Sequence, residues 1–426
     1  MKESVCRAID AGRDEIISWG EYILSNPELG YKEHKTSRLV RDTFEKLSIP
    51  YQYPLSLTGV KGELGLVPKG FNVCIIGEMD AVKSVGHPYA DPLTSAAHAC
   101  GHNAQIAAML GAACGLSRSG VMPGLCGSVS FMAVPAEEFV EIDYRRELKR
   151  TGSIRYFGGK QQLIAEGAFD DVDIAMMIHS QAETPDNKLF MDGSSLGFMY
   201  KTIRFYGREA HGSEPYKGVN ALNAAMLALM GIHANRETFK DEDKIRIHPI
   251  ITNGGELVNT IPEKVIMETY VRGAGITAIT GAAQTVDRAV NGAAMTIGAD
   301  AGIETNAGYL PLKQDSALGR VFEENARRFY SQRDIVHGMD MTGSTDMGDL
   351  SHLLPCIQPT MGGFSGAAHS QNFFITNKEA VYINCAKMLA MTAIDLLADE
   401  AEEGQRIKNA FEPQMTKDEY LQYLNQ

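Results

Sequence analysis

Three short apolar runs, at residues 71–76, 127–134 and 172–178, are separated by stretches of helical periodicity. Each ends in residues able to do chemistry: Gly77-Glu78-Met79-Asp80, Pro135-Ala136-Glu137-Glu138 and His179. Runs of this kind between helical segments suit strands of a mainly parallel sheet flanked by helices, buried on both faces. In open α/β sheets, ligands bind outside the C-terminal ends of the strands. One polar strand end means little, because most strands run into polar loops. Three ends bearing Glu, Asp and His are better explained by one shared site.

The 426 residues are more than one ordinary core accommodates, so two domains are expected. Helices are expected over 4–24, before the turn Asn26-Pro27-Glu28-Leu29-Gly30, and over 34–47. The middle of the chain has a different rhythm: strand 198–206, helix 218–236, strands 244–252 and 264–272, helix 277–297 and strand 301–309. That order, β-α-β-β-α-β, predicts an inserted α+β ferredoxin-like domain at 194–307. A catalytic α/β domain then comprises 1–193 plus 308–426, with a charged, peripheral tail after Ala398.

The net charge of −13 speaks against nucleic acid and anionic membrane surfaces as partners, while leaving room for a small anionic substrate in a local basic pocket. The start, Met1-Lys2-Glu3-Ser4-Val5-Cys6-Arg7, lacks the apolar core of a signal peptide. No apolar stretch reads as long enough to span a bilayer. Seven cysteines cannot all pair within one chain, so free thiols and a reducing cytoplasm are expected.

The strongest local signal is His98-Ala99-Cys100-Gly101-His102-Asn103. Residues two apart do not share a helix face, yet Cys100 and His102 can converge on one ion from a tight loop. Thiolate and imidazole are good ligands for zinc and similar ions. A buried thiol beside a hydrogen-bonded histidine explains the same motif. Asn103 is the expected N-cap of the helix that follows. In Pro135-Ala136-Glu137-Glu138 the adjacent carboxylates repel unless a cation sits between them. One could bind metal while the other takes the proton of a water, although a solvated acidic turn is the common alternative. His179, His369 in Gly366-Ala367-Ala368-His369-Ser370, and His211 in Arg208-Glu209-Ala210-His211-Gly212 are single histidines, and each alone is more often structural.

Taken in order, these pieces resemble the amidohydrolase branch of the dinuclear metallopeptidase–aminoacylase superfamily, which includes auxin-conjugate, hippurate and aminobenzoyl-glutamate hydrolases. The resemblance runs from Asn26-Pro27-Glu28-Leu29-Gly30 through the Cys-Gly-His loop, the Glu pair, Ala210-His211 and Asn259-Thr260-Ile261-Pro262 to Ala368-His369-Ser370. Gly158-Gly159-Lys160, Gly167-Ala168-Phe169-Asp170-Asp171 and Gly343-Ser344-Thr345-Asp346 look most like the aminobenzoyl-glutamate hydrolases. The resemblance implies two divalent ions per subunit, zinc or manganese, held by Cys100, His102, Glu138, His179 and His369. It implies Glu137 as general base for a metal-bound hydroxide and His211 as the group that meets the carbonyl oxygen, often in the partner subunit. It further implies Asp80 orienting His102, Asn259 and Arg272 as substrate contacts, and a homodimer formed through the inserted lid domain. Asn103 and Glu78 stand where many relatives have Asp. The stretch 139–156 is long and basic; its Arg145, Arg146, Lys149, Arg150 and Arg155 are expected at the mouth of the site, where they would favour an acidic substrate or form a solvated surface loop.

The function expected is therefore hydrolysis of the amide bond of N-acyl amino acids or aminobenzoyl-glutamate-like conjugates. A dipeptidase or carboxypeptidase differs only in substrate. A cysteine hydrolase with Cys100 as nucleophile would be blocked by alkylation and indifferent to chelators. A non-catalytic metal-binding dimer would leave Glu137 and His211 without a purpose.

Overall fold

The computed structural model describes residues 1–65 and 70–425 and divides into two compact units. The first comprises Met1–Ser194, Lys313–Asp340 and Asp349–Lys417; the second comprises Ser195–Leu312, Met341–Gly348 and Asp418–Gln426.

The first unit is built on a six-stranded sheet. Its order is Tyr51–Leu55, Gly59–Gly65, Ser128–Val134, Asn72–Glu78, Ile174–Met176 and Cys356–Ile357. The last four strands run parallel, and the first two form an antiparallel edge. Asn72–Glu78 and Ser128–Val134 are buried at every position, which is why both read as mostly apolar runs without a polar face. The third run stops at Met176, and His179–Ser180 joins a separate small sheet beside Thr360–Met361.

Helix His102–Arg118 packs on Asn72–Glu78, and is in turn covered by Lys2–Ala11, Arg13–Leu24 and Cys385–Leu397. The helix expected over 4–24 is two helices broken at Gly12, a residue costly in a helix interior. The continuous helical stretch Glu379–Leu397 corrects the expectation that nothing could span a bilayer: it is long and apolar enough by composition, but 89% of its apolar window is buried inside the protein. Its apolarity on every side reflects a core helix.

The second unit contains the antiparallel sheet Asp300–Ala307, Gly197–Tyr206, Lys264–Gly273 and Arg246–Ile247, with Ile250–Asn253 also paired to Lys264–Gly273. Helices Ala221–Ala234 and Ile276–Ile297 pack on each other and on this sheet. Element order and strand order are those of the split β-α-β. The boundary expected at 307 needs correction, because residues 308–312, Met341–Gly348 and the chain after Lys417 also cluster with this unit. Phe198 N donates to Tyr309 O at 2.8 Å, Leu196 N to Gly343 O at 3.0 Å, and Arg272 Nη1 to Ser344 Oγ at 2.6 Å. Such returns of the chain leave no mark in composition.

One glycine fixes how the chemistry-bearing edge is built. Gly159 opens helix Gly159–Glu166, and a Cβ there would lie 1.6 Å from Pro135 O, at the root of the Glu137-Glu138 turn. Backbone on that side cannot yield cheaply. Gly159→Ala is expected to cost at least about 1–3 kcal/mol of stability, the usual cost of overpacking. Denaturant unfolding checks this, and an unchanged midpoint would show the approach to be tolerant.

Candidate metal centre

The parallel pair Asn72–Glu78 and Ser128–Val134 places Glu78 opposite Val134, so both chains leave the sheet at one edge. The first carries on to Asp80, the second to Glu137 and Glu138. Opposite them, Cys100 and His102 flank Gly101, whose φ of +84° is a left-handed conformation open to glycine. A Cβ at Gly101 would also lie 2.8 Å from the Ser180 Cβ. Ser180 Oγ donates to Cys100 O at 2.7 Å, tying the loop to the residue after His179.

The side chains converge. Cys100 Sγ lies 3.6 Å from His179 Nε2, and His369 Nε2 lies 3.1 Å from Glu138 Oε1. His102 Nε2 lies 3.2 Å from Glu78 Oε2 and 3.9 Å from Glu137 Oε2. Three overlapping groups have ligand atoms within 4.8 Å of one another: Cys100, His102 and His179; Cys100, Glu138 and His369; Glu78, His102 and Glu137. Cys100 and His102 each belong to two of them and so link the groups. His369 is half-exposed, whereas the other members are buried or nearly so.

Asp80 holds the arrangement from behind. His102 Nδ1 lies 2.8 Å from Asp80 O and 3.3 Å from Asp80 Oδ1, so Nδ1–H donates backwards and Nε2 faces the cluster. The other Asp80 oxygen, Oδ2, accepts from Glu138 N at 2.8 Å.

The electrostatics call for a cation. Burial works to lower the His102 pKa, but Glu78 and Asp80 beside it win and push it up to about 10. Burial, with Glu138 and Glu137 adding, drives the Cys100 thiol far above its ordinary value. Against the penalty of burial, Lys160 and His102 hold Glu78 low, and His369 and His102 hold Glu138 low. Each buried carboxylate thus leans on a neighbouring positive charge. His102 Nε2 is buried without a hydrogen-bond partner, which a metal ion would satisfy. Mixed thiolate, imidazole and carboxylate donors suit zinc-like divalent ions.

Several expectations change. Glu78, left undecided by the sequence, enters the cluster. Asn103 is not the N-cap: the helix begins at His102 with Gly101 before it, and Asn103 is buried, its Nδ2 donating to Gly20 O and Tyr382 Oη, both at 3.2 Å. The basic stretch does not form a row of arginines awaiting an anion. Arg145 is completely buried, Arg146 pairs with Asp143 and Arg150 with Glu147, both at 2.6 Å, and Lys149 lies over the Phe157 ring.

His211, Asn259 and Arg272 belong to the second unit and are described within it. His211 is exposed on a short strand, Ala210–His211, paired with Thr260–Ile261. Its Nδ1 accepts from Ser213 N at 3.2 Å, which leaves Nε2 as the protonated nitrogen of the neutral ring. Gly212 N donates to Asn259 O at 2.7 Å, so His211 and Asn259 are neighbours. Arg272 sits against Phe198 and Tyr270, its guanidinium 5.3 and 5.1 Å from the two ring centres.

Lys160 escaped sequence reading. A lysine at a helix start looks like surface, yet its Nζ is buried 2.6 Å from Glu78 Oε1. The signal available was Glu78 itself, a carboxylate ending a mostly apolar strand and therefore in need of a counter-ion. Lys160→Met is expected to cost about 3–5 kcal/mol, because it removes the nearer of the two cations beside buried Glu78 and leaves only His102 to offset its charge. Equilibrium unfolding of metal-free protein measures it; a loss below about 1 kcal/mol would mean that Glu78 simply protonates.

Comparisons with known proteins identify a family for the chain. The model of peptidase family M20/M25/M40 matches residues 74–395. Xaa-Arg dipeptidase of Homo sapiens is 27% identical, over 99% of this chain and 94% of its own. An IAA-amino acid hydrolase of Arabidopsis thaliana is 26% identical, over 90% of this chain and 85% of its own. The structure of a dinuclear metal-binding M20 peptidase from Bacillus subtilis superposes with a TM-score of 0.68 at 22% identity, covering 91% of this chain and 99% of that one.

Proposed function

The chain belongs to peptidase family M20/M25/M40 and is a metal-dependent hydrolase, and from that premise we propose that it cleaves the amide bond between an acyl group and an amino acid, using two divalent cations. The observation that carries the reading is the division within one buried turn. Glu138 stands with Cys100 and His369, while Glu137 lies beside His102 and Glu78.

Cys100, His102, Glu138, His179 and His369 would hold the ions, with Glu78 against His102. Bound divalent ions supply Lewis-acid polarisation of the amide carbonyl and lower the pKa of the attacking water. Glu137 takes a proton from that water and returns it to the leaving amine. His211 donates from Nε2–H to the oxygen on which negative charge grows. Arg272, packed between two rings and donating to Ser344 Oγ, is the residue we assign to a substrate carboxylate.

Cys100 as nucleophile is disfavoured, because burial, with Glu138 and Glu137 adding to it, pushes its thiol away from the reactive thiolate. A dipeptidase is the second reading, favoured by similarity to Xaa-Arg dipeptidase along nearly the whole chain. Zinc and manganese both suit the donor set. Metal analysis joined to a panel of N-acyl amino acids, aminobenzoyl-glutamate and dipeptides tests the function. Glu137→Gln is expected to keep its metal and lose about 10²–10⁴-fold in kcat. Near-normal turnover in that variant would remove Glu137 from the chemistry.

We propose also that the enzyme works as a homodimer with His211 acting on the partner's site. Met226 and Met230 are exposed on helix Ala221–Ala234, and Ile250 and Ile251 on Ile250–Asn253, an apolar surface suited to a second copy. Mixing inactive Glu137→Gln with inactive His211→Ala protein under subunit exchange should restore activity, since a mixed dimer then holds one site with both residues intact. A dead mixture with proven exchange would place His211 in cis.

A further inference from the structure

Adjacent glutamates with different tasks need a backbone that aims them apart. Ala136, immediately before them, has φ +53°, a left-handed conformation that brings its Cβ too close to the following carbonyl and is unfavourable for alanine. Such a residue persists only where its surroundings over-determine it. Ala136 N donates to Glu33 Oε1 at 2.8 Å, and Thr58 Oγ1 and Glu33 Oε2 are 2.6 Å apart. Ala136 O accepts from Gly159 N at 3.1 Å and from Arg145 Nη1 at 3.4 Å. The same guanidinium donates through Nη2 to Glu138 O and through Nη1 to Phe157 O, the latter at 2.7 Å.

Arg145 therefore grips the backbone on both sides of Glu137. It comes from helix Ile142–Arg150 in the long stretch 139–156, lies 5.4 Å from the Tyr31 ring centre, and is completely buried. Burying a guanidinium is expensive unless its donors are used. Here Nε is buried without a partner, but both terminal nitrogens, Nη1 and Nη2, are spent on main-chain carbonyls, a use suited to holding backbone still.

We propose that Arg145 is a positioning residue for the Glu137-Glu138 turn, so that the stretch 139–156 serves the geometry of the reaction. The proposal rests on the reading of Glu137 as general base. Arg145→Lys keeps the charge but cannot span two carbonyls with a planar fork. Its kcat should fall at least tenfold, with KM for both anionic and neutral substrates within twofold of the parent. Amide hydrogen exchange at residues 136–138 should quicken at least tenfold while strand Ser128–Val134 keeps its protection. A second variant, Gly30→Ala, disturbs the clamp and leaves its charge: the new Cβ would meet Arg145 Nη2 at 2.5 Å and Ala136 Cα at 2.9 Å. It should show the same pattern.

Unchanged exchange at the turn, parental kcat, or a KM rise confined to anionic substrates would overturn the proposal. Failure of both variants to fold would make Arg145 a folding residue and overturn it equally. Glu137→Gln measured in parallel separates the two claims. If that variant is active, the general-base reading fails by itself, whereas the exchange result still reports on the clamp.

Discussion

Excess negative charge buried at one sheet edge is the constraint on which the site depends. Glu78 and Asp80 are fully buried, and Glu137 and Glu138 nearly so. Removing such groups from water costs several kcal/mol each unless positive charge and hydrogen bonds compensate. Lys160 offsets Glu78, and His102 is drawn toward its charged form by Glu78 and Asp80. Asp80 adds hydrogen-bonded order by meeting both His102 and the Glu138 amide. Divalent cations would complete this balance: the donors converge, and the charge they carry favours cation over water.

The fold positions those donors with little freedom. Parallel strands bring Glu78 and Val134 into register, so two carboxylate-bearing turns leave the sheet side by side. The left-handed Gly101 lets Cys100 and His102 face the same space. The separate pairing of His179 with Thr360 lifts that histidine out of the main sheet. The chemistry is carried by turns, while the strands supply the rigidity those turns need.

Sequence reading reached what the apolar pattern encodes. Buried strands wrote mostly apolar runs at 71–76 and 127–134, and their polar ends pointed to the shared edge. The Cys-Gly-His spacing was legible because two-residue separation excludes a helix face. What stayed hidden depends on partners far along the chain. Arg145 and Lys160 look like surface cations in a charged stretch and at a helix start, and only tertiary packing turns them inward onto carbonyls and onto Glu78. Asn103 resembled a cap because its residue type favours caps, but the helix starts one residue earlier and Asn103 spends its amide on Gly20 and Tyr382. Residues Met341–Gly348 joined the second unit through hydrogen bonds to Leu196 and Arg272, which no local signal announces.

The Glu pair carries the argument one step further. A base that itself became a full ligand would lose the lone pairs it needs for a proton. A base far from the ligands could not reach the water they activate. The turn resolves this by geometry. Glu138 is fixed at its amide by Asp80 and at its carboxylate by His369, whereas Glu137 extends toward His102, whose Nε2 also faces Glu78. The two side chains leave one backbone segment for different neighbours, and Ala136 in its left-handed conformation sets the angle between them. Strain in one small residue, held by Glu33, Gly159 and Arg145, thereby becomes divergence of two adjacent carboxylates, the separation that the proposed roles of Glu137 and Glu138 require.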